Sequence, residues 1–147
     1  MAVCTFFGHR EIYESIIPQL TAVLRQLIEQ DGVDEFYVGN HGQFDRTVTV
    51  VLLKLRKEYP HIRFFVVWSR TPKADAGEVK DRIPAIFPVE VANALPRFAV
   101  LARNRWMLDR ADVVVTYVTH SMGGAGRFKE MAERKHKQVV NLPDMML

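Results

Sequence analysis

The sequence predicts a doubly wound α/β domain with a mainly parallel five-stranded sheet and helices on both faces. Three observations lead there. Short apolar, β-branched runs alternate with longer stretches whose apolar residues recur every three or four positions. The runs Ile62 to Trp68 and Asp112 to Val118 are apolar on both faces, as in strands covered from above and below. Each run ends in a polar or glycine-rich turn, so the connections read as right-handed parallel crossovers. With 147 residues, the chain is read as a single domain over 1–147, long enough to bury a core.

Ala2 to Phe7 is the first strand and ends at Gly8-His9-Arg10. Ile12, Ile16, Leu20, Val23, Leu24, Leu27 and Ile28 then recur at helical spacing. Pro18 is expected to kink that stretch or to divide it into a lead-in and a main helix. Asp31-Gly32 stops it. Glu35 to Val38 is the second strand, followed by a glycine turn from Gly39 to Asp45. A helix over Asp45 to Glu58 buries Val48, Val51, Leu52 and Leu55, with Asp45 standing where an N-cap would stand. Tyr59-Pro60 ends it, and Ile62 to Trp68 is the third strand.

Ser69 to Pro88 holds three prolines and many charges. It reads as a long surface loop, either a lid or binding segment or a solvated connection. With the short helix expected at Val89 to Leu95, it forms an insertion over 69–96. Pro96 opens a stronger helix, Arg97 to Arg110. Asp112 to Val118 is the fourth strand, Gly126 to Lys135 the last helix, Gln138 to Leu142 the fifth strand, and Asp144 to Leu147 a tail.

Composition narrows the function. The net charge of +3 does not suggest a protein that coats nucleic acid, and nucleic acid is not expected as a partner. The single cysteine, Cys4, excludes an intrachain disulfide and suits a reducing compartment. No apolar run reaches membrane-spanning length and no leader is evident, so a cytoplasmic protein without membrane contact is expected. The histidines and the cysteine show no metal spacing, and no cofactor is expected.

The chemistry points to the strand ends. In a doubly wound sheet, ligands bind at the carboxyl edge where the strand order reverses. Four turns should gather there: Gly8-His9-Arg10, Gly39 to Asp45, Ser69-Arg70 and Thr119 to Gly126. Gly123, Gly124 and Gly126 stand between an apolar strand and a helix. Such a turn aims amide hydrogens and the positive end of a helix at one anion. Arg10 can hold a phosphate or carboxylate through two parallel hydrogen bonds. Of Arg103 and Arg105, two apart on a helix, one should face a ligand. His120 and Ser121 either touch ligand or satisfy the turn. The candidate binding residues are therefore Gly8, His9, Arg10, Gly39, Asn40, Gly42, Phe44, Asp45, His120, Ser121, Gly123, Gly124 and Gly126, with Phe44 or Trp68 stacking on a base. Neither the dinucleotide fingerprint nor a Walker sequence is present.

Several of these segments resemble a known superfamily. Gly123-Gly124-Ala125-Gly126 with Glu130 four residues on resembles the Gly-Gly-x-Gly-Thr-x-x-Glu motif of the "lonely guy" phosphoribohydrolases. Arg103-Asn104-Arg105-Trp106-Met107 resembles their Arg-Lys-x-x-Met segment. This chain has Met122 where those enzymes have proline, Arg127 at the threonine position, and Gly-Asn-His-Gly in the first turn. The wider resemblance is to the SLOG superfamily of Rossmann-like domains, which includes the DNA-processing Smf proteins. Within it, Phe6-Phe7-Gly8-His9-Arg10, Phe36-Tyr37-Val38-Gly39, Phe44-Asp45 and His120-Ser121-Met122 look like a small bacterial branch of unknown function.

The resemblance implies Arg103 and Glu130 as the pair acting in hydrolysis. The leading expectation is a sensor or regulatory module that binds a nucleotide or nucleotide-derived ligand, phosphate at the glycine turns. The alternative is a phosphoribohydrolase cleaving the N-glycosidic bond of a nucleoside monophosphate. A protein partner regulated by the ligand is a third reading. DNA binding, resting on the Smf resemblance, ranks fourth. A homodimer is expected, as superfamily members often pair.

Overall fold

The computed structural model describes residues 2–71 and 83–146. Its strands are β1 (Ala2–Gly8), β2 (Val33–Gly39), β3 (Arg63–Val67), β4 (Ala85–Ile86), β5 (Val113–Tyr117) and β6 (Gln138–Asn141). Its α-helices are α1 (Ile17–Gln30), α2 (Gln43–Glu58), α3 (Val89–Ala92), α4 (Ala99–Arg110) and α5 (Gly123–Arg134). The sheet runs β4-β3-β2-β1-β5-β6, and every pairing is parallel. The fold is thus Rossmann-like α/β, with six strands where the sequence predicted five. The chain winds outward one way from β1 through β2 to β4, then returns to the other side of β1 with β5. The strand order reverses between β1 and β5, which is where such sheets open a crevice.

Side-chain alternation builds two cores. Cys4 and Phe6 of β1 face α1 and α2, together with Val113, Val115 and Tyr117 of β5. Phe7 and Val114 face the opposite way, against Met107 and Leu108 of α4 and Phe128 and Ala132 of α5. All five residues of β5 are buried, as the apolar run predicted. Leu20, Leu24, Leu52 and Leu55 are fully buried, each removing apolar area worth roughly 1.5–3 kcal/mol from water. Among the described residues, no helix is long and apolar enough to cross a membrane.

Three local expectations are corrected, and a fourth is narrowed to one of its two alternatives. Of the two outcomes expected of Pro18, the division is seen and not the kink: it sits in the first turn of α1, where its missing N–H has no partner to lose. Residues 11–16 are consequently an irregular lead-in that leaves Tyr13 exposed. Helix α2 starts at Gln43 with Gly42 as its N-cap, so Asp45 lies in the first turn instead of capping it. Helix α5 starts at Gly123, and the glycines form its first turn. Ala85–Ile86 of the region read as a loop pairs with Val66 and Val67 as β4, and most of the rest of that loop lies outside the described residues.

Candidate functional site

A cleft of about 620 Å³ opens at the carboxyl ends of β1 and β5. Gly8, His9, Arg10, Asp45, Arg103, His120, Gly123 and Gly124 all line it. Three of the four turns singled out from the sequence therefore meet there, by identifiable contacts. The carbonyl of Arg10 accepts a hydrogen bond from the Gln43 amide at 2.7 Å, and the Gln43 side chain accepts one from the Ile12 amide at 2.9 Å. These bonds dock the β1 turn on the start of α2. A Cβ on Gly42 would lie 2.8 Å from the Arg10 Cα, and Gly42 has φ +93°, so glycine is required there twice over.

The β1 and β5 turns are joined in turn. The His9 amide donates to the Tyr117 carbonyl at 3.2 Å, and the Thr119 amide donates to His9 Nε2 at 2.9 Å. The rings of His9 and His120 stack with centroids 4.1 Å apart and planes 7° apart. Burial, and then the neighbouring His120, lower the proton affinity of His9. From behind, Asn141 of β6 holds the end of β5. Its Oδ1 accepts from Thr116 Oγ1 and the Val118 amide, and its Nδ2 donates to the Val118 carbonyl.

Arg103 forms part of the floor. It is 3 % exposed. Its Nε donates to Asn104 Oδ1 at 3.1 Å and its Nη1 to Asn40 Oδ1 at 2.8 Å. Among the described residues, no carboxylate lies within ion-pair distance of it, and Nη2 has no partner. Burial weakens its hold on its proton, and the charge of Asp45 partly restores it. Asp45 uses Oδ2 to accept the His41 amide at 2.9 Å. Burial pushes its pKa up to about 6, against the opposing pull of that amide and of Arg103. His41 is made harder to protonate by burial and then by three guanidinium groups, Arg10, Arg103 and Arg70. Arg10 and Arg103 thus line the cleft beside two acids, Glu11 and Asp45.

Helix α5 adds to that field. Its N-cap is Met122, which makes no side-chain capping bond, and its first turn holds no acidic residue. The amides at this end point toward the cleft mouth without a side-chain acceptor, carrying the positive end of the helix dipole. A Cβ at Gly123 or Gly124 would meet nothing within 4 Å. Gly123 has φ +88°. Tyr13, 89 % exposed, and Met122, 75 % exposed, stand on the rim.

Other residues read as binding groups have different roles. Phe44 is 1 % exposed and lies under Gly8, whose Cβ would come within 2.3 Å of its ring, so it cannot stack on a base. Gly39 and Asn40 line a separate, smaller hollow and reach the cleft from behind, Asn40 through its bond to Arg103 and Gly39 by packing against Asp45 and Arg103. Ser121 packs its backbone against Gly126, where a Cβ would lie 2.7 Å from the Ser121 carbonyl oxygen. Trp68 is half-buried, lies off the cleft, and carries the Arg70 guanidinium on its ring. Glu130 is not brought to the cleft. It lies in the second turn of α5, its side chain 66 % exposed and paired with Arg134 at 3.8 Å. Tyr13, Thr119 and Met122 were missed, because residues 12–16 read as helix and Met122 read as a turn residue.

No protein-family model matches this chain, and no curated protein matches it. The class that fold and site define is a Rossmann-like α/β domain with a cleft at its strand-order reversal. A solved structure of DNA processing protein A from Helicobacter pylori, described for its single-stranded DNA binding mode, is similar with a TM-score of 0.56. The likeness covers 99 % of this chain and 71 % of that one at 13 % identity, which shows the fold. Two expectations are corrected by it. The neighbour points toward nucleic acid, against both the nucleotide-sensing module and the phosphoribohydrolase, and Glu130 facing solvent agrees with that. The exclusion of nucleic acid as a partner is likewise withdrawn; it rested on net charge, a sum that does not show where Arg10 and Arg103 lie, both on the cleft.

Proposed function

We propose that the protein binds single-stranded nucleic acid across this cleft. A backbone phosphate sits between the first-turn amides of α5, Arg10 and Arg103. Flanking bases stack on Tyr13 and on the His9–His120 pair, since aromatic faces beside a positive groove hold single strands with little regard for sequence. The observation that carries the reading is Arg103 on the cleft floor, a guanidinium 3 % exposed whose Nη2 has no hydrogen-bond partner among the described residues and on which Asp45 acts from beyond ion-pair distance. Nη2 is thus a charged donor open to an anion in the cleft. The fold shared with a single-stranded DNA-binding protein supports the same reading. Membership of the SLOG superfamily is part of the proposal and rests on the motifs.

Fluorescence anisotropy with labelled oligothymidylate and oligouridylate tests it. Affinity should fall with salt, with a log–log slope of about −0.7 for each phosphate neutralised. Tyr13→Ala should weaken binding by about 1–3 kcal/mol, the usual loss for one stacked base. An oligomer that gives no anisotropy change at low salt, or a salt slope of zero, would remove the proposal.

A further inference from the structure

Resting on the nucleic-acid reading above, we infer that the cleft takes the phosphorylated end of a single strand, a terminal phosphomonoester, in preference to an internal phosphodiester. Two independent features carry this. The first is shape. The floor of the cleft is Phe7, Met107 and Arg103, which are 4 %, 1 % and 3 % exposed and belong to the packed interior, so it does not run through the molecule. Its volume of about 620 Å³ lies in the range of small-ligand sites, roughly 300–1,000 Å³. A terminal nucleotide enters such a space whole. An internal one must bring two chain continuations back up from that floor, past the rim at Tyr13 and Met122.

The second feature is the donor set. Arg103 reaches the floor with Nη2 unpartnered among the described residues, while Nε and Nη1 are held by Asn104 and Asn40. Arg10 stands on the β1 side of the cleft, and the uncapped amides of α5 stand at its other wall. These donors approach from three elements. A phosphomonoester offers three terminal oxygens and about −1.5 to −2 charges near pH 7. A phosphodiester offers two free oxygens and a single charge. Of the carboxylates on the cleft, Asp45 is engaged by the His41 amide and Glu11 by the Tyr13 hydroxyl. A third oxygen is therefore what distinguishes the two ligands at Arg103.

Calorimetric titration of the intact protein tests this with three oligothymidylates of about ten nucleotides, within the usual single-strand site size. One carries a 5′-phosphate, one a 3′-phosphate, and one has hydroxyl at both ends. One phosphorylated form should bind at least tenfold more tightly than the hydroxyl-ended strand. Arg103→Lys should erase that advantage, and so should Gly124→Asp, which alters a solvent-open position and leaves the core intact. Equal affinity for all three strands overturns the inference and leaves the nucleic-acid reading standing. Failure of every strand to bind overturns that reading, and so does thymidine monophosphate binding as tightly as the phosphorylated strand.

Discussion

The two glycine turns look alike in sequence and differ in almost every physical respect. In the turn before α2, glycine is present because there is no room. A Cβ on Gly39 would lie 2.7 Å from Asp45 Oδ2 and 3.0 Å from the Arg103 Cζ, and one on Gly42 would strike Arg10. The amide of His41 is satisfied by Asp45 from the same turn. In the turn that opens α5, Gly123 and Gly124 face empty space, and no side chain caps the helix. One turn is closed on itself and positions other groups. The other is left open for something to be added. Glycine content alone does not separate a packing device from a binding surface; what surrounds the missing side chain does.

Substitutions that exchange these properties sharpen the contrast. The largest effect is expected on the packed side. Gly8→Ala drives a methyl group to 2.3 Å from the Phe44 ring, which has nowhere to move, and overpacking of this kind reaches about 3 kcal/mol or more. Urea unfolding should show a lower midpoint at unchanged slope. Next is Asp45, whose folded pKa of about 6 lies above its ordinary 3.8. Its contribution to stability is full below pH 3.8 and is lost as pH rises through about 6. Relative to wild type, Asp45→Asn should therefore gain stability across that window, by on the order of 3 kcal/mol. Parallel pH profiles of the two proteins would disprove the burial of that charge.

On the open side the effects are smaller and of opposite sign for stability and binding. Gly124→Asp should weaken nucleic-acid binding about tenfold, about 1.4 kcal/mol, by placing a carboxylate where a phosphate is to sit. The same carboxylate near the helix start should raise thermal stability by about 0.3–1 kcal/mol. Smallest is Gly124→Ala, expected to stabilise by up to about 1 kcal/mol through helix propensity, with binding little changed. A large destabilisation from either Gly124 variant would mean that the second turn is packed like the first.

The parallel sheet and its two-sided cover were legible because apolar runs such as Val113 to Tyr117 leave few alternatives. The sixth strand was not, since Ala85 and Ile86 form no run and become a strand only because β3 offers a free edge. The start of α5 was misplaced for a local reason: three glycines are poor helix formers, yet helix geometry and the neighbouring β5 impose the turn. At the site, the meeting of Gly8, Arg10, Arg103 and Gly124 followed from topology. That Arg103 and not Arg105 faces inward could be narrowed to a pair but not chosen from spacing; Arg105 is exposed. Phe44 was misassigned because a phenylalanine at a ligand turn reads the same whether it stacks on a base or supports a glycine from below. Charge misled most: a total over the chain carries no information about where Arg10 and Arg103 come together.

Asn141, on the outermost strand beyond β5, has a consequence for kinetics. By holding both the amide and the carbonyl of Val118, it fixes the exit of β5 before any ligand arrives. A loose glycine segment would surrender its freedom at the moment of association and slow the productive encounter. Here Val118, where that segment leaves the sheet, is already held in the folded protein. Capture of a strand should accordingly proceed at a speed set by diffusion and long-range attraction to the arginines, with no search by the loop itself.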